Sequence, residues 1–293
     1  MLILTILTDN HANPSERAFA LPDHGVVSLE GPDAVAFAQA QFANDLHALE
    51  DGRWQWNAWL TPKGRVIAVF ALLRLTTDRL LLVVPDVPAI ELATALKRFV
   101  FRKKVSVTLP ADLHPQGVLA APSVARGALL AQDDGCIAMD LGGAPHARTL
   151  LLANAAGDQD AAALEHWRDL DLLYGLPRLD ASQREQWTPQ QLSLERLRAF
   201  SVKKGCYPGQ EIVARTHFLG KAKRGLALLE SDVLLQPGAP VADAERDLGQ
   251  VVCASHRAPG PVLAILPLEQ PSTALRSGDV PLHQRRLLDG LER

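Results

Sequence analysis

The sequence predicts an α+β protein whose chain ends in a small all-β domain. Its 293 residues are 47% hydrophobic and 22% charged, which is enough apolar material for a core divided over two or three lobes. Between about residues 52 and 110, predicted strands alternate with a predicted helix, and this favours one compact lobe. After Gly220 the pattern changes to short apolar runs separated by glycine and proline, which indicates a separate β region.

The first half of the chain carries the clearest local patterns. Val26 to Leu29 predicts a short strand that ends at Gly31-Pro32, where a helix begins. Further strands are predicted over 54–59, 66–75, 80–84 and 105–109. Before the last of these strands, Asp86 can cap a helix that carries Leu92 and Leu96 on one side.

The second half contains shorter elements. Strands are predicted near Val118, Ile137 and Leu150, and a helix from about Asp160 to Leu173 places Trp167 and Leu170 on one face. A short helix is also predicted at 192–197. We therefore divide the chain into residues 1–220, which include the lobe at about 52–110, and residues 221–293.

Composition excludes several classes of protein. The net charge of −3 lacks the basic field of a general nucleic-acid binder, so we expect no direct nucleic-acid binding. The three cysteines form no C-x-x-C pair, cannot alone hold an iron–sulfur cluster, and fit a reducing, cytoplasmic location. The apolar run Met1–Leu7 is too short to cross a membrane and lacks the basic start of a signal peptide.

The most unusual segment is Lys203-Lys204-Gly205-Cys206-Tyr207-Pro208-Gly209-Gln210-Glu211. Its two glycines and its proline predict an ordered turn rather than a regular element. The turn carries a thiol, a phenol, an amide and a carboxylate. Two lysines are close enough in sequence to stabilise a Cys206 thiolate, the reactive form of cysteine. The alternative is a tight turn around a packed, inert thiol.

This segment resembles the signature K-G-C-Y-x-G-Q-E of the YgfZ family, which is related to the aminomethyltransferase of the glycine cleavage system. Three other stretches are similar to motifs of the same family. They are the helix motif from Leu29 to Asp45, the turn Pro62-Lys63-Gly64-Arg65, and the strand from Phe99 to Val105. The resemblance runs from about residue 25 to the C-terminus.

The resemblance implies a GcvT-like arrangement of three domains around a central hole that binds tetrahydrofolate or a derivative, with a C-terminal β-barrel. It implies an accessory protein in the assembly or maintenance of iron–sulfur proteins, including support of tRNA-modifying enzymes, whose partners are folate and iron–sulfur proteins or their assembly machinery. Cys206 and Lys204 would carry the chemistry. The implied folate contacts are Trp167, His24, Tyr207, Gln210, Glu211, Arg215 and Asn44.

Some of these residues have structural alternatives. Trp167 shares a helix face with Leu170 and can be core. His24 stands where some relatives carry a tryptophan, and Asn44 can simply end a helix. The basic run Arg102-Lys103-Lys104, with Arg98 nearby, could meet a phosphate or a folate glutamate tail, although a solvated face is the usual role of such a run.

Two other functions stay open at this point. A true aminomethyltransferase would need an acidic group near the turn at residues 62–65, yet no aspartate or glutamate lies between Leu60 and Leu75, so carboxylate catalysis has no support there. A non-enzymatic partner-binding module that has lost folate is the other alternative, and the histidine at position 24 leaves room for it.

Overall fold

The computed structural model describes residues 17–220, 222–269 and 274–293. The apolar run Met1–Leu7 lies outside the described residues. In chain order the first elements are β1 (Phe19–Ala20), β2 (His24–Glu30), α1 (Ala34–Gln41), β3 (Arg53–Leu60), β4 (Val66–Thr76), β5 (Arg79–Pro85), α2 (Ala89–Lys97) and β6 (Ser106–Thr108). They are followed by β7 (His114–Val118), β8 (Ala131–Asp133), β9 (Cys136–Asp140), β10 (Thr149–Ala153), α3 (Ala161–Leu173) and α4 (Gln210–Arg215).

In the last quarter of the chain, the described residues form strands and no helix. Its strands are β11 (Arg224–Ser231), β12 (Pro240–Ala242), β13 (Asp247–Ala254), β14 (Gly260–Pro267), β15 (Leu275–Ser277) and β16 (Val280–Arg285). They close into a six-stranded barrel in the order β11-β14-β13-β12-β15-β16. Closure pairs every strand edge and leaves none open for another chain.

A first five-stranded sheet, in the order β3-β4-β5-β2-β6, is antiparallel throughout. Its strands are buried on both faces, and this explains their nearly continuous apolar sequences. Successive side chains of a strand point to opposite faces, and in β4 Ala68, Phe70 and Leu72 join one core cluster. Val69 and Ala71, between them, join another.

The two faces of this sheet have different coverings. One face is covered by α1 and α2, which contribute Phe37, Leu92 and Leu96 to the core on that side. We call it the helix face. The other face packs towards the second sheet, α3 and the barrel, and we call it the central face. The sheet includes β2, so this lobe reaches back to His24.

The second sheet has the order β1-β7-β10-β9-β8 and is also antiparallel. Helix α3 packs beside it. Asp160 caps this helix by accepting a 2.9 Å hydrogen bond from the backbone N–H of Ala163, as expected for an aspartate at this position. Trp167 and Leu170 of α3 join the central core.

The barrel divides its side chains in the same way. Leu229, Val251 and Leu282 fill its interior. Leu228, Cys253 and Ile265 face outward and join the central core. The barrel is therefore fixed to the two sheets by apolar contact, and three lobes share one core.

The C-terminal segment returns from the barrel to the first two lobes. Leu291 is buried in the central core, and its carbonyl oxygen accepts a 2.7 Å hydrogen bond from the indole N–H of Trp56. Leu288 donates a 2.9 Å backbone hydrogen bond to Leu173 at the end of α3. Arg293 donates to the carbonyl oxygen of Asp140 at the end of β9.

These elements confirm the α+β prediction, the C-terminal barrel and the predicted strands of the first lobe. Two predictions are wrong. Residues 192–197 form turns and no helix, because Ser193 and Arg198 adopt positive φ angles of 50° and 54°. Asp86 does not cap α2, which starts after Pro88. Its φ is 67°, and its carboxylate faces Arg178 instead. Among the described residues, the helices are too short or too polar to cross a membrane.

Candidate functional site

The segment from Ser201 to Gly209, here called the signature loop, closes on itself and leaves Cys206 exposed. The side-chain amide of Gln210 donates a 3.1 Å hydrogen bond to the carbonyl oxygen of Lys204. The hydroxyl of Tyr207 donates to the carbonyl oxygen of Ser201 at 3.2 Å. Burial of the Tyr207 ring raises the pKa of its phenol to about 12. The loop is therefore ordered by its own polar groups, as its composition predicts.

Lys204 fastens this loop to the end of α1. Its ammonium donates hydrogen bonds to the carbonyl oxygens of Gln39 at 2.6 Å, Phe42 at 2.6 Å and Asn44 at 2.9 Å. Carbonyl groups at a helix end lack helical partners and carry partial negative charge, so they attract a cation. Burial lowers the pKa of Lys204 to about 8, and the nearby Asp45 opposes that shift.

This geometry changes the expected role of Lys204. All three of its protons point to carbonyl oxygens, which leaves none for a hydrogen bond to Cys206. Any stabilisation of a Cys206 thiolate by this lysine would come from its charge alone. Its contacts show it as the group that positions the loop.

A second attachment joins the signature loop to the turn between β3 and β4. Gly209 has a φ of 81°, and a Cβ atom there would lie 2.7 Å from the Cα of Gly64 and 2.7 Å from the carbonyl oxygen of Thr61. Gly64 itself has a φ of 68° and packs against Ile212. Two glycines are needed because the two backbones touch. The turn at 62–65 and the signature loop are thus one structural unit.

The first helix motif contributes Asn44 to the same unit. The side-chain N–H groups of Asn44 donate to the carbonyl oxygens of Trp56 and Arg198 at 2.9 and 2.6 Å. Its side-chain oxygen accepts from the backbone of Asp45 at 2.9 Å. The polar groups of Asn44 are therefore engaged within the protein, and its observed role is to connect β3 with the segment before the loop.

Helix α4 follows the loop directly and begins after Gly209. Glu211 lies in its first turn and Arg215 lies in its last turn, and both residues are exposed. This order of charges suits the helix dipole. Both side chains are available to a ligand.

Five charged residues meet where the three lobes join, and we call them the ionic hub: Asp23, Asp86, Arg148, Asp171 and Arg178. Arg178 is at its centre. Its guanidinium donates to Asp86 at 2.6 to 2.9 Å, to Asp171 at 2.9 Å and to Asp23 at 2.6 Å. Burial opposes its charge, yet the three carboxylates raise the pKa of Arg178 above its ordinary value.

His24 belongs to the edge of this hub. Its Nδ1 lies 3.2 Å from a carboxylate oxygen of Asp23, and its side chain is almost fully buried. Burial alone would raise the pKa of Asp23, but His24, Arg178 and Arg168 hold it far below its usual range. His24 therefore contacts a carboxylate that stays charged.

Trp167 is fully buried behind the hub. The guanidinium carbon of Arg148 lies 4.7 Å from the centre of its ring, and Phe19 contacts it edge-on at 6.0 Å. Arg148 in turn pairs with Asp171 at 2.6 Å. The core alternative is the one that this burial favours for Trp167.

The predicted site residues thus fall into two groups. The signature loop and its attachments bring together Asn44, Lys204, Cys206, Tyr207, Gln210, Glu211 and Arg215. The hub connects His24 with Trp167. Tyr207 and Trp167 belong to the same central core, so both groups border the central face. The hub itself was not predicted from the sequence, because its charges come from four separate parts of the chain.

No family model matches the chain, but similar proteins are known. It is 27% identical over 295 residues to the tRNA-modifying protein YgfZ of Colwellia psychrerythraea, covering 92% of this chain and 88% of the relative. It is 30% identical over 253 residues to the protein of the same name from Serratia proteamaculans, covering 79% of this chain and 76% of the relative.

A solved structure has the same fold. The glycine cleavage system aminomethyltransferase T from Bartonella henselae superposes with a TM-score of 0.69 at 17% identity, over 95% of this chain and 88% of that one. The family and the GcvT-like fold predicted from the motifs are both confirmed. With a 30% identical relative matched over three quarters of its length, the chain belongs to the YgfZ family.

Proposed function

We propose that this protein is a folate-binding accessory factor in the assembly or maintenance of iron–sulfur proteins, including enzymes that modify tRNA, and that it acts in the cytoplasm. The observation that carries the proposal is the exposed thiol of Cys206 on a loop fastened at two points. Such a thiol meets partners in one fixed orientation. The similarity to relatives named as tRNA-modifying proteins supports the same assignment.

The chemistry of Cys206 follows from its surroundings. A surface thiol can serve as a redox group or as a transient ligand of a partner's cluster. One thiolate cannot hold a cluster by itself, so the remaining ligands would come from the partner or from a small thiol. In this proposal the cluster is cargo.

In this proposal folate binds on the central face, beside the signature loop. A folate offers a flat pterin, an aromatic spacer and an acidic tail, and a site for it needs aromatic faces, polar groups and a cation. Gln210, Glu211 and Arg215 supply an amide, a carboxylate and a guanidinium. The signature loop also carries the buried aromatic ring of Tyr207. In this proposal the partly exposed Asn44, the largely buried side chain of His24 and the fully buried Trp167 complete the wall of the site. The GcvT-like fold supports the choice of this face.

The aminomethyltransferase alternative gains no support from the turn at 62–65. Arg65 donates a 2.7 Å hydrogen bond to the carbonyl oxygen of Gln186 and so has a structural role. Gly64 is needed for the contact with Gly209. We therefore expect tetrahydrofolate binding without aminomethyl transfer.

The role of Cys206 is tested by complementation of a bacterium that lacks its own YgfZ protein, with the modified nucleosides of its tRNA as the measured quantity. Cys206→Ala should fold normally and fail to restore them. Cys136→Ala is the matched control, because Cys136 is a free and partly buried thiol of β9, and it should restore them. Full restoration by Cys206→Ala would remove the thiol from the mechanism.

The ligand is tested by calorimetric titration with tetrahydrofolate. The wild type should bind saturably. Arg215→Gln should bind about 10- to 150-fold more weakly, because a charge-assisted hydrogen bond is worth about 1.5–3 kcal/mol. Arg98→Gln is the matched control, since Arg98 lies on the helix face, and it should bind like the wild type. Absence of binding by the wild type would leave the partner-binding module as the remaining function.

A further inference from the structure

A basic and aromatic segment follows α2 and projects from the helix face. It reads Lys97-Arg98-Phe99-Val100-Phe101-Arg102-Lys103-Lys104, and we call it the basic arm. Phe99 is 48% exposed and Phe101 is 74% exposed. The five cations of the arm are exposed as well. Large apolar rings in water beside a dense positive charge are unusual for a surface that binds nothing.

The cations of the arm have no carboxylate partner among the described residues. Among the residues that the structure describes, none of the five forms a salt bridge, whereas exposed arginines elsewhere do. Arg53 pairs with Glu50 at 2.8 Å, and Arg285 pairs with Glu230 at 2.6 Å. The arm therefore concentrates positive charge that the described residues do not neutralise, although the whole chain has a net charge of −3.

The arm is held in a fixed shape. The backbone N–H of Lys104 donates a 2.7 Å hydrogen bond to the carboxylate of Asp33. The backbone N–H of Asp33 donates a 3.2 Å hydrogen bond to the carbonyl oxygen of Lys104. At the other end, Phe99 contacts the ring of Trp59 edge-on at 6.0 Å. At the tip, Arg102 has a φ of 55° and lies 5.0 Å from the ring centre of Phe101. Positive φ at a residue other than glycine costs energy and is concentrated at functional sites.

A groove of about 320 Å³ leads from the arm to the signature loop. Its walls include Trp59, Leu92, Arg98, Phe99 and Pro208. Pro208 is two residues from Cys206 along the chain. The groove lies on the helix face, because Trp59 and Leu92 belong to the core on that side. It is therefore separate from the central face that we assign to folate.

We propose that the basic arm binds single-stranded nucleic acid. The cations contact successive phosphates, and unstacked bases stack on Phe101 and at the edge of the groove on Phe99. Aromatic rings set among cations are how proteins bind single strands without sequence preference. An acidic protein would satisfy the cations but would offer no flat ring for each exposed phenylalanine. The net charge of the chain led us to expect no direct nucleic-acid binding. This proposal replaces that expectation for the basic arm alone.

The test is fluorescence anisotropy of the full chain with labelled twelve-nucleotide oligouridine and, separately, oligothymidine, at several salt concentrations. Phe101→Ala should weaken binding about tenfold with an unchanged salt slope, since stacking on one aromatic ring is worth about 1–3 kcal/mol. The double change Lys103→Gln and Lys104→Gln should reduce the slope of log K against log salt by about 0.7 for each lysine. Tighter binding of oligouridine identifies RNA as the ligand of the arm, and tighter binding of oligothymidine identifies DNA.

Two matched controls belong to the experiment. Phe218→Ala removes another exposed phenylalanine, and Arg246→Gln removes an exposed cation of the barrel. Both should bind like the wild type. A duplex of the same length should bind more weakly, because its bases are not free to stack.

The inference is overturned by any of three results. The wild type does not bind either single strand at low salt, or Phe101→Ala binds like the wild type, or polyglutamate displaces the oligonucleotide as well as unlabelled oligonucleotide does. The last result would assign the arm to an acidic protein. None of these measurements depends on folate, so a failed folate titration leaves them intact.

Discussion

The signature loop and the ionic hub both hold buried charge, but they neutralise it differently. In the loop, the Lys204 ammonium is surrounded by three neutral carbonyl oxygens. In the hub, the Arg178 guanidinium is surrounded by three carboxylates. Removal of the lysine leaves dipoles without a partner, whereas removal of the arginine leaves negative charges buried together. The two regions should therefore respond very differently to the loss of one cation.

The largest expected effect is that of Arg178→Met. The change leaves the buried Asp171 and the partly buried Asp23 and Asp86 without their shared partner, and breaking a buried ion pair in this way costs about 3–5 kcal/mol. Urea unfolding measures the free energy of unfolding. Arg285→Met is the control, because it removes an exposed pair with Glu230, which is worth about 0–1 kcal/mol. Equal losses in the two variants would show that the hub contributes no more than a surface pair.

Gly209→Ala should have the next largest effect. Alanine at a φ of 81° is strained, and its Cβ would lie 2.7 Å from Gly64, so we expect a loss of about 2–4 kcal/mol. Gly205→Ala is the matched control in the same loop, because a Cβ there meets no atom within 4 Å. Thermal unfolding of the two variants measures the difference. If both melt at the same temperature, the contact between the two glycines does not fasten the loop.

Lys204→Met should cost less than the hub variant, about 1–3 kcal/mol, because it leaves only backbone carbonyl groups without a partner. It should also release the loop, and hydrogen exchange of residues 201–209 should become faster. Lys203→Met is the control, since Lys203 is exposed. Unchanged hydrogen exchange in Lys204→Met would contradict the positioning role of Lys204. Stabilisation of a Cys206 thiolate by its charge would then be its remaining role.

The smallest effect concerns pH. The pKa of Asp23 lies far below its ordinary value of 3.8 in the folded protein, so its stabilising contribution is fully present above about pH 4 and is lost as pH falls towards the folded pKa. Below pH 4 the advantage of the wild type over Asp23→Asn should shrink by at most ~1.4 kcal/mol per pH unit. Asp158→Asn, at an exposed carboxylate, should show no such trend. Urea unfolding between pH 3 and 6 measures the free energy of unfolding of the wild type and of both variants. An advantage of the wild type over Asp23→Asn that stays constant with pH would contradict the lowered pKa of Asp23.

These differences also explain what the sequence could predict. The strands of the first sheet were predicted because their signal is local: apolar residues on both sides of a strand give a continuous run, as in β4. The helix from Ala161 was predicted because Trp167 and Leu170 recur at helical spacing on one face. The signature loop was found because its glycines, proline and polar groups are consecutive.

The hub could not be found in this way. Its hydrogen bonds join Arg178 to residues 92 and 155 positions away, and no periodicity encodes such a pairing. Asp86 shows the consequence, because a local rule made it a helix cap while a distant arginine determined its conformation. The helix predicted at 192–197 was wrong for a related reason, since the backbone there bends to meet other lobes.

The buried C-terminal segment affects how the chain folds during synthesis. The hydrogen bond from Trp56 to Leu291 spans 235 positions, so the ribosome must synthesise the chain through Leu291 before this part of the central core can close. Until then, apolar side chains of the first sheet stay open on the central face. Contacts of such long separation form slowly and expose the nascent chain to aggregation. Production of this protein should therefore depend on slow translation or on chaperones more than its ordinary composition indicates.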